Sequence, residues 1–339
     1  MIGVGLTIAL GLALGVILQR GAFCGSSLLS TWVLDRDGRG LIGIGFAIGV
    51  SMAGFAVLAA LGLVVVDPNP MRLLSAVVGG LVFGVGMVLA GGCVTGTMFK
   101  AAEGRLTSIL ALVGIGIGAT AADEGLLLPV KQALVKPTAA LKTPPGLHDL
   151  LGLSYPVAAG LLAGLLLAGM IVLHARQCRR AGRALLPPVR ELLVGAWPPA
   201  LAGVGVGVLG WLAFLSSTAA QRNYPLGAMG GVRGALSLLV TGKSPGNTWI
   251  LWLCLGLIAG AALSAALRGG WKLRSAPPET LLIALFGGLL VGIGASFGRG
   301  CFMGNMISGL GLLSLHSLVF AAFTVLANWS TTLLYLRGL

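Results

Sequence analysis

Apolar residues run through this chain in stretches too long and too unbroken for a water-soluble core. Segments at roughly 1–18, 41–66, 73–90, 105–122, 151–173, 197–215, 249–267, 281–297 and 308–335 consist mainly of small and aliphatic residues. An α-helix needs about 20 apolar residues to cross the hydrocarbon of a bilayer. The pattern therefore predicts an all-α polytopic membrane protein with about nine crossings. The short alternating segments of a membrane β-barrel are absent. Polar residues sit in the intervening loops, but two stretches break the rule. They are LAGGCVTGTM at 89–98 and FGRGCFMGNM at 297–306, each at the end of an apolar run.

The two stretches are echoes of one another. At a fixed offset of 208, Gly79, Gly80, Leu81, Gly84, Gly86, Gly92, Cys93, Gly96 and Met98 match Gly287, Gly288, Leu289, Gly292, Gly294, Gly300, Cys301, Gly304 and Met306. A weaker echo sets ILQRGAFCG against TAAQRNYPLG, pairing Gln19, Arg20 and Gly25 with Gln221, Arg222 and Gly227. Five crossings separate the copies, so they enter the membrane from opposite sides. Such inverted repeats with glycine-broken segments mark transporters whose pathway lies near the midplane. The expected organisation is a first repeat over 1–122, a connecting region over 123–196 and a second repeat over 197–339, pseudo-symmetric and inverted, with re-entrant Gly/Cys loops meeting at the centre.

A mean hydropathy of +1.00, with only 9% charged residues, excludes a soluble globular protein. The net charge of +13 does not indicate nucleic acid, because the basic residues are spread over short loops rather than gathered on one face. Topology accounts for them. Thirteen Lys/Arg fall in one set of loops (among them Arg36, Arg39, Lys100, Arg105, Arg268, Lys272 and Arg274) and seven in the other (among them Arg72, Lys131, Arg222 and Arg233). The positive-inside rule then puts the N-terminus outside and the C-terminus inside. The N-terminal run lacks a basic leader and a cleavage site, and reads as a first helix.

Five cysteines with no tight pair fit neither a zinc ribbon nor a disulfide scaffold. Cys254, in the middle of an apolar run, and Cys178, in a basic loop, read as packing residues. Cys24, Cys93 and Cys301 each lie in a glycine-containing break. Gly79, Gly80, Gly84 and Gly86 read as helix-packing faces. Gly92, Gly96, Gly300 and Gly304, with the polar Thr95 and Asn305, read instead as re-entrant backbone.

Converging thiols admit two chemistries. A metal site would want thiolates and further ligands, but the three histidines are scattered rather than set beside these breaks, and only a soft monovalent ion is left open. Alternatively, protonated thiols donate weak S–H hydrogen bonds and pass a sulfur-rich anion without a fixed negative charge in the way. No metal or cofactor is called for. All nine acidic residues fall in or beside loops, leaving no carboxylate relay in the membrane. Arg20 and Arg299 flank the breaks, either orienting an anion or snorkelling to the interface. Lys100 and Glu103 are placed to pair with each other. LVTGKS lacks the first glycine of a phosphate-binding loop, which would fall on Ser237.

The motifs QRGAFCG, AGGCVTG and GRGCFMGN together resemble the YeeE/YedE family of sulfur-compound membrane transporters, with similar spacing across nearly the whole chain. The likeness is closest to thiosulfate-uptake members. It implies a protein of the bacterial cytoplasmic membrane that passes thiosulfate, or a related sulfur anion, by transient S–H···S contacts at Cys24, Cys93 and Cys301. It also implies a small TusA-like sulfurtransferase as a cytoplasmic partner. Two alternatives stand beside an importer: transport of another sulfur or selenium compound, and a membrane sulfurtransferase that forms a cysteine persulfide, for which Arg299 beside Cys301 would be the activating cation.

Overall fold

A computed structural model describes residues 2–136, 146–182, 184–185, 188, 195–242 and 247–336. Part of the connecting region expected over 123–196, and Lys243 and Ser244 of LVTGKS, lie outside them. Among the described residues, nine helical stretches are long and apolar enough to cross a membrane. The only β-type pairings there are two isolated bridges, Arg105 with Arg274 and Gly146 with Ser314. The protein is thus a multi-pass helical membrane protein.

Two of the nine stretches, Gly3–Asp35 and Leu73–Ala102, are 33 and 30 residues long. At about 1.5 Å per residue each exceeds one bilayer crossing, and each is interrupted. The first splits into α1 (Ile2–Arg20) and α2 (Gly25–Asp35), followed by α3 (Arg39–Ala60). The second splits into α4 (Leu73–Leu89) and α5 (Val94–Ala102), followed by α6 (Leu106–Asp123). Between the halves lie α7 (Leu128–Val135), the single turn α8 (Leu147–Leu150) and the long α9 (Tyr155–Arg180). The second half runs α10 (Pro199–Ala219), α11 (Met229–Thr241), α12 (Trp249–Leu267), α13 (Pro278–Phe297), the π-helical α14 (Phe302–Gly309) and α15 (Leu315–Thr331). Hydrophobic run length alone located the long helices but did not separate α2, α5, α11 and α14 from the loops around them.

The packing is reciprocal between the halves. Helix α1 packs on α12 while α10 packs on α3; α6 packs on α13 while α15 packs on α4; and α4 meets α13 directly. Small residues allow these approaches. A side chain at Gly79 or Gly86 would strike the backbone of α13, and one at Gly80 or Gly84 that of α15, which is the close-packing use of glycine in membranes.

Loop contacts gather the basic segments at one end. Leu106 N–H donates to Arg274 O at 3.0 Å and Trp197 N–H to Arg20 O at 2.9 Å. A Cβ at Gly38 would stand 3.0 Å from Gln177. At the opposite end Leu147 N–H donates to Leu313 O at 2.8 Å and Ser314 Oγ to Asn69 O at 3.3 Å.

Candidate functional site

The interruptions share one backbone device. A helix that stops with a left-handed residue and a hydrogen bond reaching back five positions is a Schellman end. Here Phe23 N–H bonds Leu18 O at 2.9 Å, Gly92 N–H bonds Met87 O at 3.0 Å, Arg222 N–H bonds Ser217 O at 2.9 Å and Gly300 N–H bonds Ala295 O at 2.9 Å. The left-handed residues are Ala22, Gly91, Gln221 and Arg299, with φ of 43°, 67°, 58° and 56°, and all four are exposed. Three of the four are not glycine. A left-handed L-residue costs about 1–2 kcal/mol, so the stops are held by their surroundings rather than by local preference.

Two residues after the left-handed residue comes a cysteine in three of the four breaks. Cys24, Cys93 and Cys301 each occupy the extended N-cap position of the following short helix, and all three are buried, at 0%, 0% and 1% exposure. The fourth break departs from the weaker sequence echo. Matching the helix ends, Arg20 of α1 with Ala219 of α10, sets Ala22 against Gln221, not Gln19 against Gln221. Asn223 then stands where Cys24 stands.

The structure brings Cys24 and Cys93 together: both sulfurs lie against Gly96, within reach of one another. Gly96 is the reason they fit. A Cβ there would collide with the Cys24 sulfur and lie 3.4 Å from that of Cys93. Thr95 Oγ1 stands 3.5 Å from Cys93 Sγ. Lys100 does not pair with Glu103, as the sequence led us to expect. It reaches back from α5 to donate to Gly91 O at 2.6 Å and Ser27 Oγ at 3.4 Å, within electrostatic reach of Cys24. Glu103 pairs instead with Arg105 at 3.2 Å and accepts from Gln19 at 3.2 Å.

Cys301 is placed differently. Its electrostatic neighbours are Cys254, Arg222 and Tyr224, and the next residue, Phe302, lays its ring where a side chain at Gly25, next to Cys24, would otherwise go. Phe302 therefore stands between the Cys24–Cys93 pair and Cys301. Cys254, which sequence position alone assigned to packing, belongs to the Cys301 neighbourhood.

The remaining glycines and Asn305 repeat one motif across the halves. A Cβ at Gly92 would stand 3.0 Å from Thr97 Oγ1, and one at Gly300 would stand 3.0 Å from Asn305 Nδ2. Thr97 and Asn305 each tie their break to the short helix: Thr97 Oγ1 donates to Cys93 O at 2.8 Å, and Asn305 Nδ2 to Gly298 O at 2.9 Å. Gly304 differs. It is buried, yet nothing lies within 4 Å of the position its Cβ would take, so it borders enclosed free space.

The two arginines separate. Arg20 lies over Trp197 at 6.0 Å and its Nε is 3.4 Å from Ser264 Oγ, at the basic end. Arg299 is exposed and lines a cavity of about 330 Å³ together with Lys131, Arg233, Asp123, Ser296 and Gly300. Asp123 is bonded there by Lys131, by Ser296 and by Arg233 at 2.5 Å, which leaves three cations to one carboxylate. A histidine does meet a cysteine away from the breaks: His174 is one turn from Cys178, with Nε2 3.6 Å from the sulfur. No cluster of three metal-ligating side chains occurs among the described residues.

Known proteins resemble this chain along nearly all of its length. A family described as sulphur transport matches residues 20–330. The thiosulfate transporter TsuA of Spirochaeta thermophila is 32% identical over 351 residues, covering 99% of this chain and all of the relative. The thiosulfate transporter TsuA of Escherichia coli is 29% identical over 334 residues, covering 96% of this chain and 93% of the relative. The probable transporter YedE of Escherichia coli is 38% identical over a shorter stretch of 120 residues, 34% of this chain and 28% of the relative. With the match running through every break and cysteine described above, the chain belongs to the sulphur-transport family of membrane proteins.

Proposed function

We propose that the protein takes up thiosulfate, or a closely related sulfur anion, across the bacterial cytoplasmic membrane through a central pathway lined by Cys24, Cys93 and Cys301. The observation that carries this reading is the common placement of the three thiols. Each occupies the N-cap position of a half-helix at a break, each is buried, and each is a free cysteine. Half-helices that start inside the membrane aim their backbone N–H groups at the break, so the surroundings of each thiol favour an anion. Protonated thiols add donors without adding charge.

The reciprocal helix packing supports reading the halves as inverted repeats. The cavity at Arg299 would collect the dianion at one end, and the Cys24–Cys93 pair would deliver it toward the basic end, where Gly91 is exposed. That end is assigned to the cytoplasm by its Lys and Arg content, which puts the N-terminus outside. A small TusA-like sulfurtransferase is the partner to seek there.

Uptake of labelled thiosulfate into proteoliposomes tests the reading. The wild type should accumulate label, and Cys93→Ala and Cys301→Ala should lose uptake while still inserting. Normal uptake by either variant would sink the proposal. A persulfide-forming mechanism keeps one specific point in its favour, the Lys100 ammonium near Cys24, since a cation beside a thiol is what a nucleophilic sulfur needs. Mass spectrometry after thiosulfate exposure separates the two: a persulfide on Cys24 favours transfer chemistry, and unmodified thiols favour passage.

A further inference from the structure

Arg222 is a half-buried cation with only part of its hydrogen-bonding capacity used. It follows the left-handed Gln221 and turns back over its own loop. Nη1 donates to Tyr224 O and to Pro225 O, both at 2.8 Å. The guanidinium lies over the rings of Tyr224 and Trp249, at 5.6 and 5.1 Å from their centres. The carboxylates found in ion pairs among the described residues are Asp37, Glu103, Asp123 and Asp149, and none of them meets Arg222. Its Nε and Nη2 have no hydrogen-bond partner among those residues.

A cation that holds its loop needs only the two carbonyl bonds. The edge left over, Nε with Nη2, is the fork that grips two oxygens of a carboxylate, phosphate or sulfonate. Gly227 leaves Nη2 uncovered, for a Cβ there would press on it at 3.2 Å. Tyr224, which stacks on the guanidinium, donates its hydroxyl to Gly304 O at 2.8 Å, and Gly304 is the buried glycine that faces free space. Cys301 and Cys254 lie within electrostatic reach of Arg222. Arg299, which lines the outer cavity, in turn reaches Tyr224.

We infer that Arg222, beside Tyr224 and Cys301, forms an oxyanion site at the entrance to the central pathway, its Nε–Nη2 edge holding the SO₃ end of the substrate. The inference rests on the transport reading above and adds a division of labour to it. Arg222 supplies affinity for any anion with a trigonal oxygen face, and the Cys301 thiol meets whatever stands at the opposite end, which in thiosulfate is sulfur; the Cys254 thiol is already donated to Ala228 O. Thiosulfate, sulfite and sulfate should therefore all compete at Arg222, and only the Cys301 thiol should tell them apart.

The test uses the full-length protein in proteoliposomes and in detergent, with thiosulfate as the transported probe and sulfite and sulfate as competitors. A charge-assisted hydrogen-bond pair corresponds to about a 10- to 100-fold change in affinity. Arg222→Gln should raise the KM for thiosulfate by about that factor and weaken inhibition by both competitors in parallel, beside the modest fall in ligand-free melting temperature expected from losing its two loop carbonyl bonds. Arg222→Lys should fall between it and the wild type. If Arg222→Gln does not fold, Gly227→Ala keeps the arginine but crowds Nη2 and should raise KM alone. An unchanged KM in the folded variants overturns the inference while leaving thiosulfate transport standing. A lowered ligand-free melting temperature with KM unchanged assigns Arg222 to loop structure and overturns it too. No binding or uptake of any of the three anions by the wild type overturns both readings.

Discussion

Gly96 offers the sharpest check on the Cys24–Cys93 geometry. Replacing it by Ala puts one methyl where the Cys24 sulfur stands, and Cys93 Sγ, 3.4 Å from that methyl, blocks the nearest retreat. Cys24 is completely buried and is held at the start of α2, so relief must come from backbone movement. Overpacking of this kind costs about 1–3 kcal/mol. For a chain of 339 residues, an unfolding entropy of about 2.1 cal/mol/K per residue gives about 0.7 kcal/mol/K in total. Gly96→Ala should then lower the melting temperature by about 1.5–4 °C and abolish thiosulfate uptake. The cause is isolated by a double-mutant cycle. In a Cys24→Ala background the added methyl meets only the retained Cβ at 3.1 Å, so the Gly96→Ala cost should fall to a fraction of its value, a coupling of about 0.5–2 kcal/mol. Uptake should not return. Melting curves by intrinsic fluorescence, with uptake in proteoliposomes, read both quantities. Unchanged stability in the single variant, or equal costs in the two backgrounds, would refute the contact.

Two further substitutions separate stability from passage. Gly304→Ala should leave the fold intact or slightly firmer, since its Cβ meets nothing within 4 Å and a helical Ala is favoured over Gly by about 1 kcal/mol; uptake should fall in the order Ala, Val, Leu if the free space carries substrate, and rates independent of size would remove it from the route. Arg299→Gly relieves a left-handed L-residue whose counterpart in the first half is Gly91, so thermal stability should rise slightly while thiosulfate KM increases several-fold in low salt and less in high salt; a stability loss, or a KM insensitive to ionic strength, would contradict the role given to the cavity cations.

What the amino-acid order determines here is what depends on local composition. Runs of Leu, Val, Ala and Gly long enough to span hydrocarbon commit the chain to membrane helices. The cysteines of 93 and 301 advertise a duplicated break because they recur at one offset with their glycines. Gly91 could be read as a helix stop, because glycine is the residue that enters the left-handed region without penalty. Ala22, Gln221 and Arg299 carry no such signal. They adopt the same conformation in the folded chain, and the sequence echo sets the break at 221 three residues out of register with the helix ends. The neighbourhood of each thiol was also decided in three dimensions. Cys24 and Cys93, 69 positions apart in the sequence, touch because Gly96 has no side chain. Cys254 looks like one apolar residue among many until α12 packs beside the second break. Arg222 reads as a loop cation by sequence, since nothing in its neighbours announces that it will fold back between two aromatic rings with half its guanidinium unpaired. Hydrophobic pattern is additive along the chain and so is legible in it. The site is made of contacts between segments far apart in sequence, and those exist only once the helices have packed.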